Sequence, residues 1–195
     1  MAIMPAMPNR WKPNVTVAAL IEREGRFLLV EEETTDGLKL NNPAGHLDPG
    51  ESPEQACARE VLEETAHDFV PTALVGVYLN RFVKTRTGDD LTYLRFTFAG
   101  TLGTHHSWRT LDTGILRTVW MTPDEIRACP ERHRSPLLLA CLEDYLAGQR
   151  HPLTLVHTDP SVMQSQANQR PMATGQAHGA AHQSAPAPAH LINQR

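Results

Sequence analysis

Residues 45–64 read GHLDPGESPEQACAREVLEE, and the second half of this stretch decides what the chain can be. Ser52 can cap a helix, Pro53 suits its first turn, and Gln55 stands three residues after Ser52, where it completes a capping box. The spacing predicts a helix from this cap through Glu64. At about 100° per residue, Glu63 lies about 60° to one side of Glu60 and Glu64 about 40° to the other, so three carboxylates share one narrow arc. Ala58, Val61, Leu62 and Thr65 fall largely on the opposite side. The expectation is a helix that buries one stripe and turns an acidic face outward.

Like charges three and four residues apart destabilise a helix by a few tenths of a kcal/mol each, so this arc needs solvent, Arg59 or a cation. Hard carboxylate oxygens without His or Cys partners suit Mg²⁺, with Mn²⁺ as a substitute. Mg²⁺ keeps several waters and takes remaining ligands from phosphates, which is the basis of metal-assisted phosphoryl chemistry.

The full pattern is Gly45, five residues, Glu51, seven residues, then Arg59-Glu60-Val61-Leu62-Glu63-Glu64. It resembles the signature of the Nudix hydrolases and matches every chemical position through Glu64. Ala66 stands where that signature has glycine and His67 where it has an aliphatic residue. A left-handed Ala66 would cost on the order of 1 kcal/mol.

The resemblance implies an α/β fold, an α/β/α sandwich with a mixed β-sheet. It implies that Glu60, Glu63 and Glu64 ligate Mg²⁺ together with backbone oxygen near Ala44 and Gly45. Glu60 would also act as general base or orient the water, Arg59 would hold Glu60 by ion pairing, and Glu51 would support from behind. Further matches at residues 12–18, 41–47, 94–96 and 134–137, and at Tyr145, Gly148, Arg150, Pro152 and Leu153, resemble one branch of the family. That branch removes a terminal phosphate from nucleoside tri- and diphosphates, thiamine diphosphate and hydroxymethylpyrimidine diphosphate. Two other readings compete: a pyrophosphatase of nucleoside-diphosphate-X or dinucleoside polyphosphates, and a noncatalytic module that senses nucleotides.

Outward from the helix, residues 15–21 and 26–30 form two apolar runs around Glu22-Arg23-Glu24-Gly25, a hairpin signature. Residues 73–82 and 92–100 alternate as strands around a polar turn at residues 86–90, and residues 117–121 form one more. A short helix is expected after Thr122-Pro123, and an amphipathic one from Ser135-Pro136 to Gly148, carrying Leu138, Cys141, Leu142 and Tyr145 inward. Helices on a mixed sheet are the simplest architecture for this order.

The expected organisation is a flexible segment at 1–10, one domain at 11–155 and a low-complexity, disordered tail at 156–195, whose His178, His182 and His190 are assigned no chemistry. A net charge of -4 offers no field for polymeric nucleic acid. No apolar run is long enough for a membrane span. Three cysteines at long spacings suggest neither a disulfide framework nor a zinc site, consistent with the cytoplasm. The partner is therefore a small organic pyrophosphate, bound by a monomer or homodimer.

Arg95, between Tyr93 and Phe96, is a candidate to bind phosphate while an aromatic ring stacks on a pyrimidine, or else to pair with a core carboxylate. His46 is a candidate substrate contact. Asp89, Asp90 and Asp112 are turn residues that could approach a metal. Cys57 is expected to pack at the helix flank, Trp120 in the core, with Trp11 and Trp108 as possible members of an aromatic wall.

Overall fold

The computed structural model describes residues 10–84 and 87–164. Strand β1 (Asn14–Leu20) lies between β5 (Ala44–His46), which is antiparallel to it, and β7 (Asp90–His105), which is parallel; β6 (His67–Val83) closes the far edge against β7. A second sheet is built on β3 (Arg26–Thr34), which pairs with β2 (Glu22–Arg23), β4 (Gly37–Asn41) and β8 (Ile115–Met121). The expected α/β/α sandwich is present, but its middle is two four-stranded sheets rather than one. The hairpin turn falls at Glu24 and Gly25, both at positive φ, and closes β2 onto β3, while β1 pairs elsewhere. The chain changes sheet at Ile21, whose carbonyl accepts the Leu28 amide at 3.0 Å.

Strand alternation then fills two core layers. Val17, Ala19 and Ile21 of the first run, with Leu28, Phe69, Leu74 and Phe98, pack under α1 (Pro53–Thr65) through Ala56, Cys57 and Val61. Leu20, Phe27, Leu29 and Leu40 face the other way, toward Ile126 of α2 (Pro123–Arg127) and Leu137, Leu138, Cys141 and Leu142 of α3 (Leu137–Leu146). Each layer removes several large side chains from water, at about 25 cal/mol per Å² of apolar surface. Sequence alone did not foresee β4 and β5, which are short, or the full length of β6, which passes through Pro71 with register shifts beside it. Pro71 is tolerated because β6 is an edge strand.

α1 starts as expected, with both halves of the Ser52–Gln55 capping box formed, and ends on Ala66 at φ 56°, the left-handed terminator. Its buried stripe is rotated from the expected one. Ala58 and Leu62 are half-buried, Cys57 is fully buried, and Glu60 is buried too. Glu60 and Glu64 do not face bulk solvent, because β5 lies across them, whereas the Glu63 side chain stays partly exposed.

Trp120 packs half-buried against the core, whereas Trp11 and Trp108 are 70% and 78% exposed, so no aromatic wall forms. The boundary expected at residue 155 is softer: Val156 packs on the core, and α4 (Pro160–Gln164) follows. The expectations for residues 1–9, for Arg86 in the β6–β7 turn and for residues 165–195, including the three tail histidines, lie outside the described residues. Among the described residues no helix is long and apolar enough to cross a membrane.

Candidate active site

The capping box fixes where α1 begins, and so which side chains meet β5. Glu60 is 8% exposed and rests on Gly45 so closely that a Cβ at that glycine would stand 2.2 Å from its carboxyl. Only glycine permits that approach. One turn on, Glu64 Oε2 accepts the Ala44 backbone N–H at 2.8 Å.

Arg59 gathers the remaining acids. Its Nη1 donates to Glu60 Oε1 at 2.7 Å and to Glu63 Oε2 at 2.9 Å. Its Nε and Nη2 form a two-pronged bond to Glu51 at 3.0 and 2.7 Å, and Nη2 also donates to the His46 carbonyl at 2.9 Å. Glu51 in turn accepts the Asp48 amide at 2.8 Å. Burial opposes ionisation of Glu51, yet the Arg59 and Asp48 hydrogen bonds hold its carboxyl below the usual range. These contacts, led by Glu51, push the Arg59 guanidinium still further up.

The inner acids behave oppositely. Burial first, then the charges of Glu60, Glu32 and Asp112, push the Glu64 carboxyl up to about 8 against the Ala44 amide. Burial also raises Glu60, aided by Glu63 and Asp112 and opposed by Arg59. No trio of His, Cys, Asp or Glu side chains among the described residues already surrounds one point, since Arg59 draws Glu60 and Glu63 to itself. The donor set nevertheless fits a hard divalent ion that keeps waters: crowded carboxylate oxygens, one of them unusually proton-loving, beside a glycine with no room for a side chain.

Beside Gly45 opens a cavity of about 410 Å³. Strand register builds its floor: His46, Thr16 and Arg95 stand in one row across β5, β1 and β7. Asn80 and Tyr93 follow two residues along, and Tyr93 stacks on Phe82 with rings parallel within 1° and centroids 5.7 Å apart. Glu32 of β3 and Asn41 of β4 form the opposite wall, and Arg134 and Ser135 close it ahead of α3. Arg95 is only 8% exposed; it has charge interactions with Glu32 and Glu64, but its Nε and Nη1 have no hydrogen-bond partner. Burial raises the Glu32 carboxyl, opposed by Arg134, Arg95 and Asn41.

A NUDIX domain profile matches residues 11–140 of this chain. The chain belongs to the Nudix family. It is a hydrolase acting on diphosphate bonds. It is 35% identical over 146 residues to phosphatase NudJ of Escherichia coli K12, covering 75% of this chain and 92% of that protein. It is also similar to a solved NUDIX hydrolase from Nitrosomonas europaea, at 52% identity and a TM-score of 0.70 over 76% of this chain and 98% of that one. A MutT protein from Methanosarcina mazei Go1 follows at 26% identity and a TM-score of 0.55, with 71% and 98% covered.

In this Nudix hydrolase, Glu51, Arg59, Glu60, Glu63, Glu64, Ala44 and Gly45 form one contiguous cluster. Arg95, Tyr93 and His46 line the adjoining cavity, but Phe96 does not, because its alternate position turns it to the α1 core. Asp112 donates its amide to the Glu63 carbonyl at 3.1 Å and bears on the inner acids, whereas Asp89 and Asp90 bond to Thr87 and Arg81 at the far turn. Sequence reasoning gave no site role to Glu32, Asn41, Phe82 or Arg134, although Asn41 and Arg134 lie in segments that carry the family resemblance. They come from separate elements with no shared motif, and only β3–β4 pairing and the placement of α3 bring them together.

Proposed function

We propose that this Nudix hydrolase uses Mg²⁺ to cleave the terminal phosphoric anhydride of small organic diphosphates, among them thiamine diphosphate, hydroxymethylpyrimidine diphosphate and nucleoside di- and triphosphates, releasing orthophosphate. The supporting observation is the Glu60–Glu64 pair pressed against Ala44 and Gly45, which line the cavity. When bound, Mg²⁺ polarises the phosphorus, offsets charge on the departing phosphate and acidifies the attacking water. Glu60, Glu63 and Glu64 would hold it, with the Ala44–Gly45 backbone. Glu60, seated against Gly45, accepts the water's proton or orients that water. Arg59 keeps Glu60 in place and Glu51 keeps Arg59 in place.

The reading extends to a cytoplasmic enzyme, in keeping with its three free cysteines, and to a catalytic unit that does not need the chain beyond the core contact of Val156. The test is product identification with Mg²⁺ or EDTA on nucleoside diphosphates, thiamine diphosphate, ADP-ribose and dinucleoside polyphosphates. Orthophosphate with a monophosphate, abolished by EDTA, is expected. Cleavage into two phosphorylated fragments, or turnover indifferent to EDTA, would overturn the reading.

A further inference from the structure

Buried polar atoms almost always find hydrogen-bond partners, so those that do not are informative. Among the described residues, the buried side-chain nitrogen and oxygen atoms without a partner are Thr16 Oγ1, Glu32 Oε1, Asn41 Oδ1, Asn42 Oδ1, Arg95 Nε and Nη1, and Arg109 Nε. Five of these seven atoms belong to four residues that line the single cavity beside Gly45. Their arrangement is patterned: unfilled acceptors sit on the β3–β4 wall, at Glu32 and Asn41, and unfilled donors on the β7 floor, at Arg95. Arg134 Nε lies 3.4 Å from Glu32 Oε1 as an ion pair without a hydrogen bond. Tyr93, backed by Phe82, supplies a flat face on the same floor. A planar ring laid against that face would satisfy these groups by offering an N–H to Glu32 and an acceptor to Arg95. Cytosine presents an exocyclic amine where uracil and thymine present a carbonyl oxygen, which would oppose the Glu32 carboxylate. A site built to bind a ligand N–H rejects analogues lacking it, because its own buried group is then left unpaired.

We propose that Glu32, with Asn41 and Arg95, reads the edge of the substrate's ring and selects diphosphates whose ring carries an amino group next to a hydrogen-bond acceptor. This specificity rests on the proposed phosphatase reading, with the diphosphate running from the cavity toward Gly45. The experiment measures binding of the product-like monophosphates CMP and UMP in EDTA, so that it does not depend on turnover. The full chain should bind CMP at least tenfold more tightly than UMP, and Glu32→Gln should bring that ratio close to one. N4,N4-dimethyl-CMP should lose at least tenfold against the unaltered protein, a readout that requires no folded variant. Equal binding of CMP and UMP, an unchanged ratio in Glu32→Gln, or full affinity for the dimethylated ring would each overturn the proposal. A Glu32→Gln protein that keeps the ratio but shifts the Mg²⁺ dependence of hydrolysis would overturn it in favour of a metal role. Loss of EDTA-sensitive phosphate release with the CMP preference intact would instead count against the phosphatase reading alone.

Discussion

Two ion clusters sit on opposite sides of this molecule's logic. Around Glu31 of β3, one buried carboxylate is held by two arginines, Arg117 at 2.7 Å and Arg132. Around Arg59 of α1, one arginine serves three carboxylates, Glu51, Glu60 and Glu63, while Glu64 and Glu32 crowd in behind without a share of it. The first cluster has positive charge to spare and joins β3 to β8 and to the turn before α3. The second has an excess of negative charge in a half-closed place, which costs stability unless a cation arrives. Surplus of one sign, rather than the number of ion pairs, separates the cluster that ties the fold together from the one proposed to take a metal ion.

The largest effect that would break this comparison is on turnover. Glu60→Gln and Glu64→Gln should each lower kcat by roughly two orders of magnitude or more, the scale expected for loss of a metal ligand or base. Their melting temperatures should stay level or rise, because each removes a charge from a crowded set. Near-normal kcat with normal Mg²⁺ dependence would take these residues out of the mechanism. Gly45→Ala comes next: the new Cβ would meet the Glu60 carboxyl at 2.2 Å, and since that carboxyl is the end of a flexible side chain, the fold should survive while kcat drops about 10- to 100-fold. An active Gly45→Ala enzyme would show that Glu60 does not need its seat.

The Glu31 cluster should respond in the opposite way. Glu31→Gln should destabilise by about 1–2 kcal/mol, since Arg117 and Arg132 are partly exposed and water can take over their charge, and kcat should remain within about threefold. The Arg117 hydrogen bond, outweighing burial and joined by the charges of both arginines, holds the Glu31 carboxyl below its ordinary value. A carboxyl depressed in the folded state binds fewer protons there than in the unfolded chain, so its stabilisation is present above the ordinary value of about 4.3 and fades as pH falls through the folded value. The gap in melting temperature between wild type and Glu31→Gln should therefore close with acidification below about pH 4; a gap that widens would refute the assignment. The smallest effect is at the helix end. Ala66→Gly relieves a left-handed alanine but loses a buried methyl, 2% exposed, so stability should move by no more than about 1 kcal/mol. A clear loss of melting temperature would mean that the methyl outweighs the strain.

What the sequence by itself determined is local. The Ser52–Gln55 box, the Glu60, Glu63 and Glu64 arc and the left-handed Ala66 follow from helix periodicity and capping, which act within a few residues, and the structure keeps them. Residue spacing also marked the β2–β3 turn and the buried face of α3. Only the tertiary structure decided that the acid arc turns inward onto Gly45, that β1 leaves its neighbour in sequence to run parallel to β7, and that Glu32, Asn41, Arg95 and Tyr93 share one cavity. Those outcomes depend on which strand edges find each other across long stretches of chain. No spacing within a single segment encodes that choice; the burial of both core layers at once selects it.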